Sequence, residues 1–166
     1  MSAVVVDTNV AKTANGEADH VGLDCIQASI EALSRIRSES VVLIDEQGLI
    51  LAEYLGSGLS LAGGPGVGDA FVKWVFVNQA KAQHCRKISI TVTWDNGQNF
   101  AEFPAALELA SFDRDDRKFV AVALASGEDP PILNATDTDW RDYKCALERN
   151  GVKVDFLCPE AMQQTR

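Results

Sequence analysis

The chain has 166 residues, of which 46% are hydrophobic, and a formal net charge of −9. This size and composition predict a single globular domain and exclude collagen, coiled coils and disordered chains. The acidic balance argues against a broad basic surface that would coat nucleic acid, and no apolar run is long enough to cross a membrane.

The first half of the chain alternates short β-branched runs with helical patterns. Residues 3–6 are predicted to form a buried strand that runs into a polar loop at residues 7–9. A secretory signal would have a basic region and a long apolar region here, so we expect a cytoplasmic protein. A helical face recurs over residues 23–37, a second buried strand covers 41–44, and a second helix covers 49–55. The glycine-rich stretch 56–68 is predicted to be a loop.

The second half continues the alternation. Its predicted elements are a short helix at 71–76, a strand at 88–92, a turn-rich insertion at 94–104, a helix that starts at Asp116, a strand at 131–134, a helix at 140–150 and a last strand at 152–157. Alternating strands and helices predict a three-layer α/β/α fold with a central, mostly parallel sheet, formed by one domain over residues 1–160.

The four cysteines form no C-x-x-C pair and no dense framework. A zinc site or a disulfide scaffold is therefore not expected. We predict isolated buried thiols in a reducing compartment.

Acidic side chains follow three predicted strands and begin one helix. They are Asp7 after the first strand, Asp45 and Glu46 after the second, Asp137 and Asp139 after the strand at 131–134, and Asp116 at the helix start. Each alone could be a turn or N-cap residue. Because ligands of parallel sheets bind at the carboxyl ends of the strands, we expect these acids to converge. Crowded carboxylates repel one another, and Mg²⁺ or Mn²⁺ is the ion that such a set of oxygen ligands is expected to bind.

Three motifs resemble those of PIN-domain nucleases, in the order found in that family. Residues 4–9, V-V-V-D-T-N, resemble its opening strand and D-T-N motif. Residues 116–121, D-R-K-F-V-A, resemble its D-x-x-[IF]-x-A helix, and residues 135–140, A-T-D-T-D-W, are similar to its T-x-D-x-D-F element. The family also has a glutamate in the helix after the second strand. Glu53 is our candidate, with Asp45 and Glu46 as alternatives.

The resemblance implies a toxin-like ribonuclease that uses Mg²⁺ or Mn²⁺ to hydrolyse RNA phosphodiester bonds. The implied roles are catalysis by Asp7, Glu53, Asp116 and Asp137, metal binding by these four and Asp139, and orientation of the nucleophile or loop by Asn9. The implied partners are single-stranded or structured RNA and an antitoxin or a second copy of the chain. The alternative is a catalytically inactive PIN-like module that binds RNA or protein.

Two further features allow more than one interpretation. The basic segment 81–87 could contact an RNA backbone or could be a solvated helix end. Trp94, beside an Asp-Asn-Gly turn, could stack on a base. No H-E-x-x-H, P-loop or G-x-S-x-G motif is present, which argues against a zinc protease, a P-loop nucleotide site and an α/β-hydrolase.

Overall fold

A computed structural model describes residues 1–18, 21–62, 64, 66–93 and 98–160. Five parallel strands form one sheet in the order β3-β2-β1-β4-β5. They are β1 (Ser2–Val6), β2 (Ser40–Asp45), β3 (Cys85–Ile88), β4 (Pro131–Asn134) and β5 (Lys153–Phe156). The predicted α/β fold with a parallel central sheet is confirmed.

Helices connect the strands and cover the sheet. They are α1 (Thr8–Ala14), α2 (Leu23–Glu39), α3 (Leu49–Gly56), α4 (Val67–Asn78), α5 (Arg117–Ser126), α6 (Thr138–Asp142) and α7 (Lys144–Arg149). Helices α1, α2 and α4 pack on one another, whereas α5 packs along β1, β2, β3 and β4 and contacts α3. None of the described helices is long and apolar enough to cross a membrane.

The central strands are mostly apolar, with polar residues only at their ends, because both of their faces are covered. Val5 and Val6 of β1 are fully buried, and they pair in register with Ile132 and Leu133 of β4. The backbone N–H of Asp7 extends this ladder by donating to the carbonyl of Leu133 at 3.0 Å. The ends of β1 and β4 are therefore held side by side, which positions the loops that follow them.

Glycines in the predicted loop allow α4 to approach α1 closely. A Cβ at Gly68 would overlap the backbone carbonyl of Ala11. A Cβ at Gly66 would overlap the side-chain amide of Asn15. Because Gly66 has no Cβ, the Oδ1 of Asn15 can accept a hydrogen bond from Asp69 N–H at 3.1 Å. The observed connection between α3 and α4 is residues 57–66, shorter than predicted because α4 already begins at Val67.

Strand β3 lies earlier in the chain than predicted. It covers Cys85–Ile88, so only Ile88 of the predicted strand 88–92 belongs to it. The neighbouring strand β2 ends at Asp45, which pairs with Ile88, and no further β2 residue is available to extend the ladder. Val92 instead forms an isolated antiparallel bridge with Phe100.

Two helical predictions also need correction. The polar residues after Asp7 were predicted to be a loop, but they start α1, whose side chains Val10, Ala11 and Ala14 are buried. The predicted helix 140–150 is two helices that meet at Tyr143, where the backbone leaves helical geometry.

The prediction of isolated thiols is wrong for two cysteines. Cys25 and Cys158 form a disulfide, with their Cα atoms 5.4 Å apart. The end of the chain after β5 returns to the start of α2, so a separation of 133 residues in sequence becomes contact in the fold. Cys85 is a free buried thiol, as predicted, whereas Cys145 is free but exposed, contrary to the prediction of a buried thiol.

Candidate functional site

Asp7 connects β1 to α1 and is the N-cap residue of that helix. Its Oδ2 accepts a hydrogen bond from Asn9 N–H at 3.1 Å. The residue is only 3% exposed, and its Oδ1 is a buried oxygen without a hydrogen-bond partner among the described residues. Since buried polar atoms are normally paired, this unpaired carboxylate oxygen requires an explanation.

Two asparagines clamp the loops after β1 and β4. The side-chain N–H of Asn9 donates to Asn134 Oδ1 at 3.1 Å, and Asn9 Oδ1 accepts from Ala135 N–H at 2.9 Å. Asn134 Oδ1 also accepts from Asp137 N–H at 2.9 Å. Asn9 therefore joins the loop after β1 to the loop after β4. Asn134, which is fully buried, was missed because it reads as the last residue of an ordinary strand.

Asp137 and Asp116 lie at the N-termini of two different helices. Asp137 caps α6 and accepts a hydrogen bond from Asp139 N–H at 2.9 Å. Asp116 precedes α5, but its side chain makes no capping hydrogen bond. Asp139 is exposed and acts on Asp137 by charge, so it lies at the margin of the site.

Burial and neighbouring negative charges raise the pKa values of three of these carboxyl groups. Burial, and next the charge of Asp116, raise the pKa of Asp7 well above 3.8, and Glu53 and Asp137 add to this effect. Burial, and next the charge of Asp137, raise the pKa of Asp116 to about 7. Burial also raises the pKa of Asp137. The sequence did not single out Asp113, whose exposed carboxylate raises the pKa of both Asp116 and Asp137.

Glu53 is the acid of α3 that faces this group. Its Oε2 accepts a hydrogen bond from the Thr8 hydroxyl, and its Oε1 accepts from the Lys118 ammonium at 2.6 Å. The adjacent Tyr54 hydroxyl donates to the carbonyl of Val6 at 2.6 Å, which ties α3 to the end of β1. We call Asp7, Glu53, Asp116 and Asp137 the carboxylate cluster.

The two alternatives to Glu53 have other surroundings. Asp45 is 1% exposed, and its two oxygens accept hydrogen bonds from the N–H groups of Leu49 and Ile50, each at 2.8 Å. It caps α3, because the N-cap residue of that helix is Gly48, which has no side chain to make the capping hydrogen bond. Glu46 is exposed, and its backbone N–H donates a single hydrogen bond to the carbonyl of Ile88 at 3.0 Å, just after the last pair of β2 with β3.

The carboxylate cluster has the donor chemistry of a site for a hard divalent cation. All its donors are oxygens, and the unpaired Oδ1 of Asp7 lies among acids whose negative charges repel one another. Among the described residues, however, no three acidic, histidine or cysteine side chains are already arranged to hold a metal ion. A cation would have to draw the carboxylates closer together than this structure shows.

The basic and aromatic candidates lie elsewhere or have structural contacts. In the segment 81–87, Arg86 belongs to β3 rather than to a helix end, and it pairs with Glu128. Trp74 packs edge-on against His84, with ring centroids 5.3 Å apart. The predicted stacking residue Trp94 and its turn lie outside the described residues.

The chain matches no family model, no curated protein and no solved structure. The resemblance to PIN-domain nucleases thus depends on the three motifs alone and stays a prediction.

Proposed function

We propose that the protein is a metal-dependent ribonuclease that hydrolyses RNA phosphodiester bonds at the carboxylate cluster. The observation that carries the proposal is the contrast between two buried aspartates. Asp45 has both oxygens saturated by backbone N–H groups, as a structural acid should. Asp7 is also buried, has one oxygen with no partner among the described residues, and lies near three further acids. A fold tolerates that arrangement when a cation supplies the missing interaction.

The donor set favours Mg²⁺ or Mn²⁺ over zinc, because it contains carboxylate oxygens and no thiolate or imidazole. We assign the holding of the ion to Asp7, Asp116 and Asp137, with Glu53 and Asp139 as further ligands. A bound ion of this kind polarises a phosphoryl oxygen and lowers the pKa of a bound water.

The chain's own residues account for the geometry that hydrolysis requires. The Asn9–Asn134 clamp fixes the loop that carries Asp137 relative to the loop that carries Asp7. The N-caps of α1 and α6 hold these two carboxylates in fixed orientations. Precise placement of charged groups contributes strongly to phosphodiester hydrolysis, and here it comes from adjacent central strands.

The proposed substrate is single-stranded or structured RNA. The carboxylate cluster and the net charge of −9 repel a phosphodiester, so the chain needs the cation to bind one at this site. An antitoxin or a second copy of the chain is part of the proposal as a regulatory partner.

A cytoplasmic location is what the sequence leads us to expect, whereas the Cys25–Cys158 disulfide favours an oxidising compartment. Disulfides persist mainly in oxidising compartments.

A second candidate function is a binding module without catalysis. The engagement of Glu53 by Thr8 and Lys118, and the lack of a ready metal cage in the described part of the chain, favour it. Such a module would bind RNA or protein equally well with and without divalent cations.

The proposal is tested by incubating single-stranded RNAs of varied sequence with purified protein and Mn²⁺ or Mg²⁺. We expect cleavage that stops on addition of chelator and falls roughly a hundredfold or more in Asp7→Asn. The control is Asp155→Asn, which removes an exposed carboxylate from β5 and should cleave like the wild type. Cleavage that survives chelator, or an equal rate in Asp7→Asn, would contradict the proposal. Metal-independent RNA binding without cleavage would support the binding module.

A further inference from the structure

Lys118 places a positive charge inside the carboxylate cluster. Its ammonium donates to Glu53 Oε1 at 2.6 Å and also contacts the backbone carbonyl of Asp115. Its charge opposes the effect of the neighbouring acids on the pKa of Asp116. The Lys118 side chain is 14% exposed and that of Glu53 is 24% exposed, so the pair is largely removed from water.

Other lysine ion pairs in the described residues lie at the surface. In the pair Lys144–Glu148 the side chains are 43% and 50% exposed, and in the pair Lys153–Asp129 they are 62% and 59% exposed. Exposed pairs of this kind contribute little to stability. The Lys118–Glu53 pair is much less exposed and lies beside three other acids, so its presence requires a different explanation.

We propose that Lys118 is an internal counter-cation that neutralises Glu53 in the metal-free protein and competes with a divalent cation for that carboxylate. The inference rests on the proposed metal site and adds to it the residue that limits its affinity. It also explains why the described acids form no ready cage. Glu53 is directed towards Thr8 and Lys118, and it can ligate an ion only when Lys118 releases it.

The direction of the effect follows from the charges. Removing the ammonium frees Oε1 of Glu53 and removes the repulsion between a monovalent and a divalent cation at close range. The hydroxyl of Thr8 still holds the other oxygen, so Glu53 keeps one anchor. Charge interactions in a partly buried site are much stronger than in water, so we expect the lost repulsion to outweigh the loosening of Glu53.

The test is a Mn²⁺ titration of the full chain, read by calorimetry and by the paramagnetic resonance signal of free Mn²⁺. Lys118→Met keeps the length of the side chain that packs near the Phe119 ring, and Lys118→Gln keeps a donor for Glu53. We expect both variants to bind Mn²⁺ about tenfold more tightly or better. Lys118→Arg retains the charge and should stay within about threefold of the wild type.

Lys144→Met is the matched control. Lys144 also pairs with a glutamate and also lies near an aromatic ring, Phe156, at 5.9 Å. Its removal changes the net charge of the chain by the same amount, away from the carboxylate cluster. We expect no change in Mn²⁺ affinity. That result would show that the affinity depends on the position of the removed charge and not on the net charge of the chain.

The outcomes separate this inference from the proposed function. If the wild type binds Mn²⁺ and both neutral variants bind it equally or more weakly, the inference is overturned and the metal site stands. If wild type and variants all fail to bind, the metal site itself is overturned. Binding in the neutral variants alone would support competition. If the neutral variants fold neither with nor without Mn²⁺, as judged by circular dichroism, Lys118 is structural and the inference is overturned.

Discussion

Asp116→Asn should stabilise the metal-free protein, and more so at high pH than at low pH. Asp116 makes no capping hydrogen bond, so an asparagine of nearly the same shape loses no contact of that kind. The change removes one negative charge from the carboxylate cluster. It therefore relieves the repulsion that raises the pKa of Asp7 as well as that of Asp116 itself.

The magnitude follows from the pKa of Asp116, which burial and neighbouring charges raise from 3.8 to about 7. Between these two values the folded state holds a proton that the unfolded state has released. The contribution of Asp116 to the free energy of unfolding is therefore most favourable below pH 3.8 and falls as pH rises to 7, by about 1.4 kcal/mol per pH unit. The loss reaches about 4 kcal/mol, which water near the partly buried carboxylate reduces to roughly 2–4 kcal/mol. Because asparagine does not titrate, the Asp116→Asn variant does not lose this part of the free energy of unfolding as the pH rises.

The assay is urea unfolding of wild type and Asp116→Asn at pH 5 and pH 8, in chelator. We expect the variant's advantage to grow by roughly 1–3 kcal/mol between the two pH values. Asp155→Asn, at an exposed position in β5, should show no such growth. An advantage that is equal at both pH values, or a variant weaker than wild type at pH 8, would refute the electrostatic reasoning.

Two further predictions concern the scaffold. Gly68→Ala should lower the free energy of unfolding by about 1–3 kcal/mol, because the added Cβ would overlap the backbone carbonyl of Ala11. The control Gly56→Ala adds its Cβ in open space and should not lower it. Equal stabilities of the two variants in urea titrations would argue against the close contact between α1 and α4. Reduction of the Cys25–Cys158 disulfide should lower the free energy of unfolding by about 2–5 kcal/mol, since it closes a loop of more than a hundred residues. Urea titrations with and without reductant check this, and an unchanged midpoint would mean that the bond does not form in solution.

The buried strands could be predicted because the property that identifies them, a short run of apolar β-branched residues, can be read from the sequence of each strand alone. A run such as residues 3–6 is β-branched and apolar whatever its neighbours are, and β1, β2, β4 and β5 lie close to their predicted positions. Helix α1 is short, and its sequence is rich in threonine and asparagine, so its helicity depends on burial against α2 and α4. The edge strand β3 was displaced because its bounds depend on its partner β2.

The acids of the site could be predicted in part, because strand ends of a parallel sheet meet at one edge. Sequence could not choose between Asp45 and Glu53, since that choice depends on which carboxylate is saturated by backbone N–H groups. It also missed the contacts of Lys118 and Asn134 with residues 65 and 125 positions away in the chain. The disulfide was missed for the same reason, because its cysteines are 133 residues apart in the sequence and are neighbours only in the fold.

The carboxylate cluster divides into two acids that the backbone holds and two that it does not. Asp7 and Asp137 accept hydrogen bonds from backbone N–H groups at the starts of α1 and α6, and the asparagine clamp joins their loops. Asp116 makes no capping bond, and Glu53 is held by two side chains. Side chains change rotamer at far lower cost than helix termini rearrange, so Asp116 and Glu53 are the acids that a cation would draw in. A variant that loosens either should change the affinity for metal, whereas one that breaks the clamp should change the fold.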